Sequence, residues 1–136
     1  MKTATPILWD SPINSESIFE SKKTISNLHA WKDGLLFLIT EPSEGNINVL
    51  MYSDTNSVTK RVSPKGFNIR SKIHEYGGRP FTADGDDIFY CNFNDQEIYS
   101  QSFLSASNTF SSPVAVTDSH GDKVRYADLS LSLIHI

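Results

Sequence analysis

The feature that most restricts the fold of this sequence is a repeat of short apolar segments about 50 residues apart. Segment 33–37 resembles 84–89, 50–52 resembles 97–99, and 61–63 resembles 115–117. Roughly four short strands per repeat are typical of a β-propeller blade. Since one blade cannot cover both of its own faces, several blades must stack around an axis.

The apolar segments have the length and the boundaries of strands. They are short, and Gly, Asn, Asp or Pro separates them; they lie at 35–40, 49–52, 61–63, 88–91 and 96–103. Helical periodicity is weak throughout. We therefore predict an all-β protein that contains the first two four-stranded antiparallel blades, and the start of a third, of an incomplete β-propeller.

Two blades and part of a third do not close a ring, so we expect a partial propeller at about 24–130, after a lead-in segment at 1–23. Blade 1 is expected at about 24–66, blade 2 at about 67–118 and the start of blade 3 at about 119–130. Residues 131–136 back-translate to CTG TCT CTT ATA CAC ATC, a transposon-end adapter used in DNA library preparation. We expect Leu131–Ile136 to be a sequencing artefact; a genuine apolar strand is the alternative.

Composition excludes several classes of protein. The net charge is −4, from 12 basic and 16 acidic residues, so the chain lacks the charge of a nucleic-acid binder. The single cysteine, Cys91, cannot form an internal disulfide, which favours a reducing compartment. The longest apolar run, 35–39, is far too short to span a membrane, and residues 1–6 lack a secretion signal. We therefore expect a cytoplasmic protein with no nucleic-acid or membrane partner.

The sequence contains no recognisable catalytic or metal site. No G-x-S-x-G string, which would expose a serine nucleophile, is present. Asp118, Ser119 and His120 are neighbours in sequence, but adjacency is not the geometry of a triad. Metal ligands are expected to be absent because the candidates lack suitable spacing: His29, His74, His120, Cys91, and the acidic run Asp84, Asp86 and Asp87. We expect no catalytic residue, metal or cofactor.

Aromatic side chains are expected to pack between the blades. They recur at blade-like positions, namely Trp31, Phe37, Tyr52, Phe89, Phe93 and Tyr99. Cys91 ends an apolar run, which predicts a small core residue.

Segment 67–78, F-N-I-R-S-K-I-H-E-Y-G-G, resembles the N-R-x-x-V-H-E-Y-G-G segment of the prolyl oligopeptidase family, in its acylaminoacyl-peptidase and dipeptidyl-aminopeptidase branch. Other segments follow the family's order: 9–13 resembles W-x-S-P-I, 41–45 a reduced E-x-R-P-x-E-G-G-R turn, 91–99 S-N-F-x-D-Q-R-L-Y, and 125–128 R-Y-A-D. The turn at 41–45 lacks the family's arginines, and Arg79 stands where a small residue is common.

The resemblance implies a large enzyme in which an N-terminal β-propeller caps a C-terminal α/β-hydrolase domain. That domain carries a Ser-Asp-His triad, uses no cofactor and cleaves short peptides. The chain would be the non-catalytic propeller part, gating access to a hydrolase domain in cis that these residues do not include. A stand-alone kelch-like propeller that binds partners is one alternative. A propeller glycosidase, with Glu41 and Glu44 as its carboxylates, is another.

The segment 74–79 carries the candidate site residues. His74, Glu75 and Arg79 are expected to line the central channel or gate the substrate. Neighbouring side chains in a strand point to opposite faces, so His74 and Glu75 are not expected to form an acid–base pair. The other members of the motif are expected to be structural, because glycine suits a crowded or kinked strand: Tyr76, Gly77 and Gly78.

Overall fold

The first sheet of the protein is a four-stranded antiparallel meander. A computed structural model describes residues 22–73 and 78–132. The strands follow one another in space in the order of the sequence: β1 (Ile25–Trp31), β2 (Gly34–Glu41), β3 (Ile47–Ser53) and β4 (Thr59–Arg61). A short 3₁₀ helix, Pro42–Glu44, lies between β2 and β3.

The second sheet repeats this arrangement, with its last strand in two pieces. Its strands are β5 (Phe81–Asp84), β6 (Asp87–Cys91), β7 (Ile98–Leu104), β8 (Thr109–Phe110) and β9 (Val114–Ala115). Both β8 and β9 pair with β7. The ladder is interrupted at 111–113, which includes Pro113, a residue without an N–H to donate. The all-β prediction of two antiparallel blades is thus confirmed.

The repeat in the structure differs in register from the one read in the sequence. Leu36 and Ile88, 52 residues apart, are the first fully buried residues after the first turn of each sheet. Leu36 pairs with Tyr52, and Ile88 pairs with Gln101. Tyr52 therefore corresponds to Gln101 rather than to Tyr99. A shift of two residues keeps a side chain on the same face of a strand, so the apolar pattern cannot detect it.

The hydrophobic core lies between the two sheets. Its members come from both sheets and from the connection between them: Trp31, Leu36, Leu38, Leu50, Tyr52, Val62, Ile69, Phe81, Ile88 and Tyr90. Trp31 and Tyr52 of the first sheet contact Phe103 and Phe110 of the second. The predicted aromatic packing therefore forms through Trp31 and Tyr52, with two partners that the sequence pattern did not single out.

A polar seam joins the two sheets along the connection at 67–72. The N–H of Ile69 donates to Asn48 O at 2.9 Å, and Ile69 also pairs with Asn92 of the second sheet. The Asn68 side chain accepts from the Asn48 N–H at 2.9 Å, and the Asn68 N–H donates to Asn92 Oδ1 at 3.1 Å. The connection is therefore hydrogen-bonded to both blades.

Gln96 anchors the same seam from the second blade. Its side chain is 1% exposed, and its backbone φ is 60°. Oε1 accepts from the Lys72 N–H at 2.9 Å, and Nε2 donates to Phe93 O at 2.9 Å. Because a buried amide without partners is costly, these bonds fix the segments 67–72 and 91–96 together.

Cys91 is fully buried at the end of β6, as expected for a core residue. Burial, together with the nearby charge of Asp95, raises the pKa of its thiol from 9.0 to about 11. Because the thiolate is the reactive form, its fraction near pH 8 falls roughly 100-fold. We expect a disulfide reagent to label the native chain at least about 100-fold more slowly than the denatured chain. Equal labelling rates would contradict this burial.

Candidate functional site

A cleft of about 220 Å³ opens between the first strands of the two sheets. β1 and β5 are each the edge strand of their sheet. Six residues line the cleft, three from β1 and three from the start of the second blade: Asn27, Leu28, His29, Gly78, Arg79 and Phe81. None of them is acidic.

A β-bulge shapes the β1 side of the cleft. The pairing of β1 with β2 shifts register between Ser26 and His29, and Asn27 has a φ of 52°. Leu28 is left 68% exposed. Bulges of this kind re-aim side chains out of the regular ladder. The bulge thus directs residues 27–29 towards the second blade.

Phe81 closes the cleft against His29. The two rings meet edge to face, with their centroids 6.2 Å apart and their planes at 83°. Phe81 is 2% exposed and belongs to the core between the sheets. The imidazole therefore rests on a fixed apolar surface.

Arg79 is the charged residue of the cleft, and its backbone is held on both sides. Its N–H donates to Asp128 Oδ1 at 2.9 Å, and its carbonyl oxygen accepts from the Leu129 N–H at 3.3 Å. The side chain is exposed, and no carboxylate within residues 22–73 and 78–132 forms an ion pair with it. The guanidinium is therefore available to a ligand.

Gly78 permits the contact that holds Arg79. Its φ is +62°, a conformation that residues with a side chain rarely adopt. A Cβ at this position would lie 2.9 Å from Asp128 Oδ1 and 3.2 Å from Ala127 Cβ. Both constraints favour glycine at this position.

The other residues of the predicted motif, His74, Glu75, Tyr76 and Gly77, lie outside the described residues. The structure brings Arg79 together with His29, a residue whose place in the sequence suggests no role beyond that of a candidate metal ligand. It also brings Arg79 together with Asp128 of the R-Y-A-D segment. The order of the motifs is a signal for that second contact, since segments that follow one another in a propeller occupy neighbouring blades.

The described residues show no assembled catalytic or metal centre. No group of three or more His, Cys, Asp or Glu side chains in this part of the chain is arranged to hold a metal ion. Asp118, Ser119 and His120 are exposed in an irregular segment. Among the residues that the structure describes, no helix is long and apolar enough to cross a membrane.

Glu41 and Glu44 are engaged in ion pairs within the first blade. Glu41 lies 2.8 Å from Lys23 Nζ, and both carboxylate oxygens of Glu44 accept from Arg61. The hydrogen bond from Lys23 lowers the pKa of Glu41, and that from Arg61 lowers the pKa of Glu44. A glycosidase acid needs a raised pKa, so this pair is unsuited to that role. The two ion pairs stabilise the folded chain fully above pH 4.5, the ordinary pKa of glutamate. This stabilisation is lost as the pH falls through the lowered pKa values of Glu41 and Glu44.

The two sheets, packed face to face and joined in series, define two consecutive blades of a β-propeller.

No protein-family profile and no curated protein sequence matches the chain. Among solved structures, puromycin hydrolase matches 91% of the chain at 23% identity and a TM-score of 0.73. A mutant of puromycin hydrolase complexed with PGG matches 91% of the chain at 22% identity and a TM-score of 0.72. A puromycin-hydrolyzing peptidase of Mycobacterium tuberculosis matches 88% at 22% identity and a TM-score of 0.72.

The likeness to these structures is one of fold. The chain spans about a fifth of their length, 19–20%. One of the three, the protein from Mycobacterium tuberculosis, is a peptidase, and the fold of the chain agrees with that of all three structures. The expectation of a propeller fold similar to that of prolyl oligopeptidase-family enzymes is therefore confirmed.

Proposed function

We propose that the chain is the non-catalytic propeller part of a serine peptidase that hydrolyses short peptides. The observation that carries this proposal is the fold similarity to puromycin hydrolase over 91% of the chain, at a TM-score of 0.73. The ordered motifs support it independently, because segments 67–78 and 91–99 supply Asn68, Asn92 and Gln96 to the polar seam between the blades. The motifs thus occupy positions where the fold depends on them.

Exposed apolar side chains support a larger ring. Ile25 and Leu35 are exposed on the first blade, and Val114 and Val116 on the second. Exposed apolar surface of this kind marks faces that pack against other elements. In a propeller those elements are the neighbouring blades.

The blade division expected from the sequence is retained as part of the proposal: 24–66, 67–118 and a third blade beginning at 119–130. Contacts from the last segment support it. Asp122 Oδ2 lies 2.9 Å from Lys72 Nζ, and Arg125 Nη1 donates to Lys72 O at 3.3 Å. Residues 122–129 thus contact Lys72 and Arg79, as the start of a following blade would.

The role of the propeller would be to gate access to an α/β-hydrolase domain in cis. A narrow channel admits short or unfolded peptides and excludes folded proteins. Excluding water also strengthens the electrostatic stabilisation of the acyl-transfer transition state. We place the enzyme in the cytoplasm and assign it dipeptidyl- or acylaminoacyl-peptidase specificity, with Arg79, His74 and Glu75 as the gating residues.

The proposal is tested by comparing the full-length gene product with the chain of 136 residues. We expect the full-length protein to hydrolyse fluorogenic di- and tripeptides, to spare a folded protein, and to react with a fluorophosphonate probe. The chain of 136 residues is the matched control and should do none of these. A full-length protein that neither reacts with the probe nor cleaves peptides would contradict the proposal and favour a binding module.

A further inference from the structure

We propose that the cleft between β1 and β5 binds the carboxylate of a short peptide through the Arg79 guanidinium. The inference extends the proposed function, since it assigns a binding subsite for the peptides that the enzyme would cleave. Its chemistry is nevertheless independent of catalysis.

The charge of Arg79 favours a carboxylate ligand. Four basic side chains of the described residues are already ion-paired with carboxylates of the chain: Lys23, Lys32, Arg61 and Lys72. Arg79 has no such partner in the same part of the chain, although it lines a cleft. A guanidinium presents two parallel N–H donors, which match the two oxygens of a carboxylate. A peptide carboxylate is the complementary ligand.

The backbone position of Arg79 is fixed by the fold. Asp128 and Leu129 hydrogen-bond to its N–H and its carbonyl oxygen. The next residue, Pro80, is buried, and its carbonyl oxygen accepts from the Cys91 N–H at 2.8 Å. Arg79 is therefore fixed between two blades, so little backbone freedom is lost when a ligand binds.

The other residues that line the cleft combine polar groups with apolar surface. His29 and Asn27 supply polar groups beside Arg79, while Leu28 and Phe81 supply apolar surface. A volume of about 220 Å³ is below the size of most drug-sized pockets and suits one or two amino-acid residues. The cleft thus fits a carboxylate next to an apolar side chain.

Two parts of a peptide carry a carboxylate: its C-terminus and an acidic side chain. Three probes separate them: Gly-Gly-Phe, Gly-Gly-Phe amide, and N-acetyl-Gly-Glu-Phe amide. Binding to the chain of 136 residues is followed by NMR, through the Arg79 Nε–Hε signal and the His29 backbone amide.

The test uses Arg79→Gln, with Lys65→Gln as the matched control. Lys65 is also exposed, lies outside the cleft, and loses the same charge. We expect Arg79→Gln to weaken binding of the preferred probe at least about tenfold, and Lys65→Gln to change it less than about twofold.

The three probes give distinct outcomes. Preference for Gly-Gly-Phe over its amide, by about tenfold or more, would assign the site to a C-terminal carboxylate. Preference for the glutamate peptide would assign it to an acidic side chain, which equally supports the proposal. The proposal would be overturned if all three probes bound equally well, or if the Arg79→Gln variant bound the preferred probe as tightly as the unchanged chain. If the full-length protein proves not to be a peptidase, the binding results would still stand, because they are measured on a chain without a catalytic domain.

Discussion

Replacing Trp31 with alanine is expected to lower the free energy of unfolding by about 4 kcal/mol. Trp31 is 5% exposed at the end of β1 and packs edge to face on Tyr52 and Phe103, with centroid distances of 5.2 and 5.9 Å. Its Nε1 also donates to Gly85 O at 3.0 Å, in the β5–β6 turn of the other blade. The substitution removes contacts within the first blade and contacts between the blades together.

Trp31→Phe is the matched control for this prediction. It keeps an aromatic ring in the core and removes the hydrogen bond to Gly85, so we expect a loss of about 1–2 kcal/mol. Stability is measured by urea denaturation followed by far-UV circular dichroism. A cost of less than about 1 kcal/mol for Trp31→Ala would contradict the inter-blade role of the tryptophan.

Replacing Gly34 with alanine is expected to destabilise the first blade by about 3 kcal/mol. A Cβ on Gly34 would lie 2.1 Å from the backbone oxygen of Ser53 and 2.9 Å from Tyr52 Cε2. Ser53 pairs with Leu35 in the β2–β3 ladder, so its oxygen cannot move without disturbing that ladder. Tyr52 is confined by Trp31, so its ring has little room to turn away.

Gly45→Ala separates this steric clash from the general cost of replacing a glycine. Gly45 has a φ of +83°, and no atom lies within 4 Å of a Cβ placed there. Only conformational strain remains, so we expect a loss of about 1 kcal/mol in the same denaturation experiment. Equal costs for the two substitutions would show that the close approach of β3 to Gly34 is not as described.

The class of fold could be predicted because it depends on local signals. Short apolar runs bounded by turn residues predicted the strands, and their recurrence predicted the blades. The exact register could not be predicted, because a shift of two residues preserves the alternation of faces. Gln101 illustrates this: it occupies the place of Tyr52 in the second blade but is polar, satisfied by bonds of 2.6 Å with Tyr90 Oη and with Ser111 O.

The candidate site was predicted only in part, because it is built from distant segments. Arg79 could be proposed from the motif that precedes it. Its neighbours His29 and Asp128 lie about 50 residues away on either side, and only the packing of blades brings them together. The Gly78–Asp128 approach likewise follows from tertiary structure, so the motif alone could suggest a glycine requirement but not its cause.

The motif strings acquire a physical explanation from the polar seam. Asn68 and Asn92 bond to the backbone of the neighbouring segment, and Gln96 bridges to Lys72. Side-chain amides suit this task because each offers both an acceptor and donors. Part of the resemblance to a peptidase family is thus carried by residues that hold consecutive blades together.

The most direct test of the central claim is to sequence the source DNA beyond codon 130. The account predicts that the reading frame continues through further blade repeats into a G-x-S-x-G elbow, followed by the aspartate and the histidine of a triad. Residues 131–136 would then be replaced by another sequence. A frame that encodes Leu131–Ile136 and then stops, or that continues through blades without an elbow, would contradict the assignment to a serine peptidase.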